Sequence, residues 1–266
     1  MNGDESFRLG LGTAFQNSCN EAIRSNVTRA LELGYRHIDT AQAYENAELL
    51  GDVIERSSVD RDEITLATKI HSDDLTYDGI FRVVDEQLRL LSTDYVDILY
   101  VHWPAPPYDP ETTFRAFSEL KDDGRIRNIG VCNFSPELLY EASEYASIFA
   151  HQFEFHPLLN QAELAEVTRN LGMWIVAHTP LARGEVTDVP TLSRIAKAHD
   201  RTEAQVALAW LLSKERVAAI PKATGTHLVE NLGSLSGELN ERERREVDEI
   251  QRRHRFVDHS IAPWNA

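Results

Sequence analysis

Asp39, Lys69, His102, Asn133, Gln152, His178 and Lys222 each stand where an apolar run of the chain breaks off, and Tyr44 follows the first of them on a short loop. Brought together, a carboxylate, an ammonium, a phenol, imidazoles and primary amides could hold a polar group and move a proton to or from it. Taken singly, each has a plainer use. A strand-end Asp is often only a cap or turn former, and a lone Tyr, Lys or His is more often packing than chemistry. Asp39 with Glu154 also offers a carboxylate pair, which on a barrel suits a hydrolase or an isomerase.

The elements that must position these residues alternate along the chain. Helical periodicity in Glu21 to Leu33 stops at Gly34, a helix-ending residue, and Tyr35 to Asp39 reads as a strand. Other strand-like runs are Phe7 to Thr13, Ile64 to Ile70, Tyr95 to His102, Ile126 to Cys132, Ser147 to Phe155, Met173 to Thr179 and Val217 to Pro221. Helical stretches lie between them: Cys19 to Gly34, Asn46 to Glu55, Tyr77 to Leu91, Glu111 to Lys121, Pro136 to Tyr145, Gln161 to Leu171, the pair Thr191 to His199 and Thr202 to Ser213, and Leu228 to Leu235. YVDILYVH is nearly continuous in its apolar character, as a strand buried on both faces is. Eight strands, each followed by helix, predict an α/β fold, a single-domain (β/α)8 TIM barrel over residues 1–266. In such a barrel the strand ends form one mouth. No G-x-G-x-x-G follows the first strand, where GLGTAF stands, which speaks against a doubly wound open sheet.

Composition excludes several classes of function. The formal charge of -16 leaves no basic patch for nucleic acid or an anionic membrane surface. ERERREVDEIQRRHR, at Glu241 to Arg255, interleaves Glu and Arg as the solvated face of a terminal helix does. No window approaches a membrane span and Met1 to Leu9 lacks the form of a signal peptide, so a soluble, cytoplasmic protein is expected. Cys19 and Cys132 make no disulfide framework. The histidines are scattered, and neither H-E-x-x-H nor paired C-x-x-C occurs, so no metal is expected. Only five of the 27 basic residues are Lys, against 43 acidic ones. Such an acidic, Lys-poor surface suggests a halophilic protein, since salt shortens the range of self-repulsion.

The segments GYRHIDTAQAY, ATK, YVHWP, GVCNF, HQFEFHP and IPKAT…HLVEN, in this order, resemble the aldo-keto reductases, nicotinamide-dependent carbonyl reductases on a (β/α)8 barrel. The resemblance runs from about Leu9 to Trp264, and the compact length looks like that of prokaryotic members. It implies a catalytic tetrad of Asp39, Tyr44, Lys69 and His102. Reduction of an aldehyde or ketone leaves negative charge on oxygen, which calls for a proton donor in place. Tyr44 would supply the proton, Lys69 would lower the phenol's pKa, Asp39 would keep Lys69 charged, and His102 would fix the carbonyl oxygen.

The same resemblance places the cofactor on Asn133 and Gln152, at the nicotinamide carboxamide, and on His178, where the family usually stacks a Tyr. Cys132 stands for the family's usual Ser. Lys222 and Thr224 follow the last strand, the general location of barrel phosphate sites; the resemblance puts Lys222 and His227 at the adenosine 2′-phosphate, with His227 in place of an Arg, and Glu230 and Asn231 at the adenine. NADPH/NADP+ is expected through Lys222, with NADH left open because His lacks Arg's permanent charge. Trp103 would wall the substrate pocket, and Ala14 stands where many members carry an aromatic. The partner implied is a small-molecule carbonyl substrate bound by a monomer. A regulatory or sensor subunit that binds NADP(H) with little turnover is the other reading.

Overall fold

The computed structural model describes residues 5–15 and 20–265. Its eight strands are β1 (Leu11–Gly12), β2 (His37–Asp39), β3 (Thr65–Ile70), β4 (Val96–Val101), β5 (Ile126–Cys132), β6 (Ile148–Glu154), β7 (Trp174–His178) and β8 (Val217–Ala219). They pair in parallel, in chain order, in one sheet. A parallel bridge between Leu9 and Ala219 closes the sheet into a barrel, with the Gly10 N–H donating to the Ala219 carbonyl at 2.9 Å. Gly12 is needed at that seam: a Cβ there would lie 2.7 Å from the Ile220 carbonyl oxygen.

The described helices are α1 (Glu5–Arg8), α2 (Asn20–Glu32), α3 (Ala47–Glu55), α4 (Tyr77–Leu90), α5 (Pro110–Asp122), α6 (Pro136–Tyr145), α7 (Ala162–Asn170), α8 (Pro190–Ala198), α9 (Glu203–Leu212), α10 (Thr226–Leu232) and α11 (Glu241–Asp248). Local chemistry sets several of their ends. Asp109 and Ser135 accept from the amides of Thr112 and Leu138 ahead of a Pro at the first helical position, and Thr202–Gln205 and Asn240–Glu243 form capping boxes. Most helices bury one stripe, such as Ile80, Val83, Val84 and Leu88 of α4. Helix α9 is buried from Val206 to Leu212, because α8 and α10 cover the sides that the barrel does not.

Two expected elements differ. The chain before Leu11 forms no long strand; α1 instead turns Phe7 under the barrel, where it stacks on His37 at 4.6 Å and meets Trp174 edge-on at 5.1 Å. Phe7 is apolar because it plugs the barrel floor, a use that shares the look of a strand, whereas Leu9 bridges Ala219 and packs into the larger core outside the barrel. The terminal helix ends at Asp248 rather than Arg255, and 249–265 runs on without regular structure until a last turn at Pro263–Asn265. The amides of Phe256 and Val257 are spent on a side chain, as described below, and cannot serve a helix. Cys19, with the start of the first expected helix, lies outside the described residues.

A buried imidazole fixes one strand-to-helix contact. His151 of β6 accepts the Phe134 N–H at Nε2 (3.2 Å), which leaves its proton on Nδ1 to donate to the Thr168 hydroxyl (3.0 Å), and that hydroxyl donates to the Leu164 carbonyl. A second proton would face an N–H. Burial accordingly lowers the His151 pKa to about 3. The unfolded chain binds more protons than the folded one between that value and the ordinary 6.5, so stability falls as pH drops through this window. Urea unfolding should show His151 removing about 2 kcal/mol between pH 7 and pH 5. His151→Gln should flatten that slope; parallel profiles for the two proteins would show that the slope has another source.

Candidate active site

The site begins with register. Asp39 pairs with Ala67, and Lys69 lies two residues further along β3, so its side chain points to the same inner face of the barrel. The Lys69 ammonium meets the Asp39 carboxylate there, and both side chains are almost wholly buried. The remaining valences are filled: Lys69 Nζ donates to the Thr40 carbonyl at 2.7 Å, and Gln152 Nε2 donates to Asp39 Oδ2 at 2.8 Å. Burial works to discharge Lys69, but Asp39 outweighs it and holds its pKa above the ordinary range. The ammonium is permanent.

Tyr44 arrives on a 3-10 turn, Gln42–Tyr44, that side chains hold from both flanks. Thr40 donates to Asn46 Oδ1 (2.7 Å) and Asn46 donates to the Thr13 carbonyl (2.9 Å), while Gln42 accepts the His71 N–H (2.9 Å) and donates to Asp74 (2.6 Å). The half-buried phenol ring lies 5.2 Å from Lys69 Nζ and edge-on to His102 at 6.1 Å. Burial raises the Tyr44 pKa and the neighbouring ammonium lowers it, with the net shift upward. This corrects the expected net lowering. Lys69 moderates the rise, and the phenol keeps its proton across the neutral range.

His102 directly follows β4, its N–H donating to the Ile70 carbonyl at 3.1 Å. Burial, then the Lys69 ammonium and the imidazoles of His178, His71 and His259, hold its pKa well below the ordinary value. A neutral ring has one N–H to give. Its Nδ1 is buried with no partner among the described residues.

Beside it, Asn133 occupies the left-handed region at φ 61, which Asn tolerates better than most residues. Its amide donates to the His102 carbonyl (3.2 Å) and accepts from His178 Nε2 (3.1 Å), while His178 Nδ1 accepts from the Thr179 hydroxyl (3.1 Å). Burial takes the His178 pKa down to about 4, so this ring too is neutral. Buried Cys132 lies close enough to Lys69 to feel its charge, yet burial pushes the thiol pKa well up, and it remains a packed thiol.

The structure therefore gathers Asp39, Tyr44, Lys69, His102, Asn133, Gln152 and His178 at one barrel mouth. Trp103 adds a buried wall whose indole meets His259 at 5.1 Å and Trp264 at 5.8 Å. Lys222, Thr224 and His227 follow β8 and are exposed. His227 Nδ1 is bound to Glu230 Oε2 at 2.6 Å, so these two residues engage each other. Asn231 is buried with its amide nitrogen unpartnered among the described residues. Glu154 is no partner for Asp39 in a carboxylate pair: both its oxygens are taken by other groups. Thr40, Gln42, Asn46 and His259 escaped the reading of the sequence; the first three sit inside or beside the Asp39–Tyr44 stretch, which was a usable signal. No group of three or more metal-binding side chains occurs among the described residues, and no described helix is long and apolar enough to cross a membrane.

Removing one partner of a buried pair strands the other. Asp39→Asn should cost about 3–5 kcal/mol in urea unfolding. Asp39→Asn with Lys69→Met should recover most of that loss. A double variant no more stable than the single one would show that the pair is not the source of the cost.

A family model described as the Aldo/keto reductase family matches residues 8–252. An aldo-keto reductase of Mycolicibacterium smegmatis is 40% identical over 224 residues, spanning 83% of this chain and 80% of that protein. The glyoxal reductase of Bacillus subtilis is 36% identical over 257 residues, spanning 96% of this chain and 92% of that protein. Among solved structures, a Bombyx mori aldo-keto reductase in complex with NADP superposes with a TM-score of 0.87 at 26% identity, covering 95% of this chain and 92% of that one. With a closed eight-stranded barrel, a model match across most of its length and these relatives, the chain belongs to the aldo/keto reductase family and is a nicotinamide-dependent reductase of carbonyl compounds.

Proposed function

We propose that this reductase prefers NADPH and reduces small aldehydes, with Tyr44 as the acid. The observation that carries the reading is the protonation pattern at the mouth: a phenol that keeps its proton, beside a permanent ammonium and across from a neutral imidazole. A dihydronicotinamide, when bound, would supply the hydride that such a reduction needs. As charge develops on the carbonyl oxygen, Tyr44 gives it the phenolic proton, and Lys69 stabilises the phenolate left behind. His102 donates one N–H to the same oxygen and orients it. In oxidation of an alcohol the phenolate takes the proton back.

The residues present fit the cofactor. Asn231, on the helix that follows Lys222 and Thr224, keeps a buried amide donor without a partner among the described residues, which suits an adenosine end. Lys222 is an exposed ammonium without an ion-pair partner among the described residues, as a phosphate contact requires. His227 and Glu230 bind each other instead, so a 2′-phosphate meets one Lys and gains no forked contact; NADPH is preferred, and NADH is used as well. Asn133 and Gln152 would hold the carboxamide and His178 would lie against the ring. Ala14 in place of a larger side chain leaves the pocket open, and the glyoxal reductase relative supports small dicarbonyl aldehydes as the substrate class.

Tyr44→Phe should lower kcat for glyoxal reduction by about 10²–10⁴-fold, while NADPH titrated by protein fluorescence binds within about twofold of wild type. Unchanged turnover would remove Tyr44 as the acid. Lys222→Ala should raise the Kd for NADPH by roughly tenfold or more, the worth of one charged hydrogen bond, and leave that for NADH nearly constant. Equal losses for both cofactors would take Lys222 away from the 2′-phosphate.

A further inference from the structure

The last strand-end carboxylate, Glu154 of β6, has no business with the Asp39–Lys69 pair. It is 1% exposed, and three donors converge on it: the Phe256 N–H (2.8 Å) and His156 Nε2 (2.9 Å) on Oε1, and the Val257 N–H (2.9 Å) on Oε2. Two successive backbone amides thus close on one carboxylate. Burial alone would favour the protonated acid, but these hydrogen bonds outweigh it and keep Glu154 ionised, its pKa below the usual carboxylate range. The strand end reaches the same segment twice more. Gln161 donates to the Glu154 carbonyl (2.6 Å) and accepts from Arg255 (3.1 Å), and the His254 N–H donates to the Leu158 carbonyl (2.8 Å).

What the fixed segment carries is directed at the mouth. Beyond Val257 it delivers His259 and Trp264 against the Trp103 indole, one residue after His102. Arg255 lies 4.0 Å from the Trp264 ring centre, and Asp258 accepts from Trp264 Nε1 at 2.9 Å, so the indole is held from two sides although the residue is 38% exposed. His259 is near enough to raise the cost of a charge on His102.

We infer that Glu154 is a latch: by holding the Phe256 and Val257 amides it fixes the 249–265 strap across the barrel mouth, and so sets the aromatic wall that selects the larger carbonyl substrates. Glu154 is a positioning residue, acting on substrate only through the strap. The kinetic part rests on the reductase reading above; the latch itself does not.

The decisive substitution is Glu154→Gln, which keeps the shape and turns one acceptor oxygen into a donor facing other donors. Amide exchange followed by mass spectrometry should speed at least tenfold in a peptide covering 254–258. In the same variant KM for 4-nitrobenzaldehyde should rise about tenfold, while KM for glyoxal, too small to reach the wall, and kcat for both stay within about twofold. Trp264→Ala should raise KM for 4-nitrobenzaldehyde with strap exchange unchanged, which separates the wall from its fastening. Exchange unaltered in Glu154→Gln would overturn the latch, and faster exchange with an unaltered 4-nitrobenzaldehyde KM would overturn its part in selection. Failure of the wild-type protein to oxidise NADPH with either aldehyde would instead count against the reductase reading, and the exchange result would still decide the latch.

Discussion

A buried ammonium facing a buried carboxylate is the constraint from which the rest of this mouth follows. Taking two ions out of water costs several kcal/mol each unless every remaining valence is met. Here the debt is spread over three strands: Asp39 ends β2, Lys69 comes from β3, and Gln152 crosses from β6 to fill the second carboxylate oxygen. Because side chains alternate along a strand, a slip of one residue in the β2–β3 register would turn Lys69 outward and leave Asp39 unpaired. The pair therefore guards the register that builds it.

Protonation at the mouth is then a matter of who stands near the fixed charge. Lys69 is held ionised by Asp39, so every other titratable group in reach is pressed toward neutrality or eased toward deprotonation by a single cation. His102 loses its proton first to burial and then to that cation, while burial takes the proton of His178 against the pull of Glu154, with the cation adding to burial. Tyr44 sits under the opposing influence: burial keeps its proton and Lys69 makes the loss less costly. A phenol protonated at rest and stabilised on ionising is what proton donation to a growing alkoxide demands.

Much of this was open to reading. The strand-end residues could be found because parallel strands buried on both faces stand out as apolar runs, and the residue that ends such a run is exposed as polar by contrast. Helix α6 was readable to its ends, since Ser135 and Pro136 announce its start chemically. Phe7 misled because an apolar residue at a barrel floor and one in a strand look alike in sequence. The strap was illegible for a different reason. Its holding groups are the backbone amides of Phe256 and Val257, which every residue but Pro carries, and Glu154 gives no sign in HQFEFHP of which amides it meets. The sign of the Tyr44 shift also lay beyond the sequence, for it turns on how deeply the ring is buried.

Charge at long range and charge at contact pull the cofactor in opposite directions. A protein of formal charge -16 repels a phosphorylated dinucleotide from afar. Over distances beyond the Debye length of about 8 Å at physiological salt that repulsion is largely screened, so the contact groups decide. At the end of β8 stand one exposed Lys and a His already bound to a Glu. On the proposed reading a 2′-phosphate would meet a single point charge rather than a fork, and higher salt would weaken repulsion and contact together. If Lys222 meets the 2′-phosphate as proposed, the preference for NADPH is narrower than an Arg would make it.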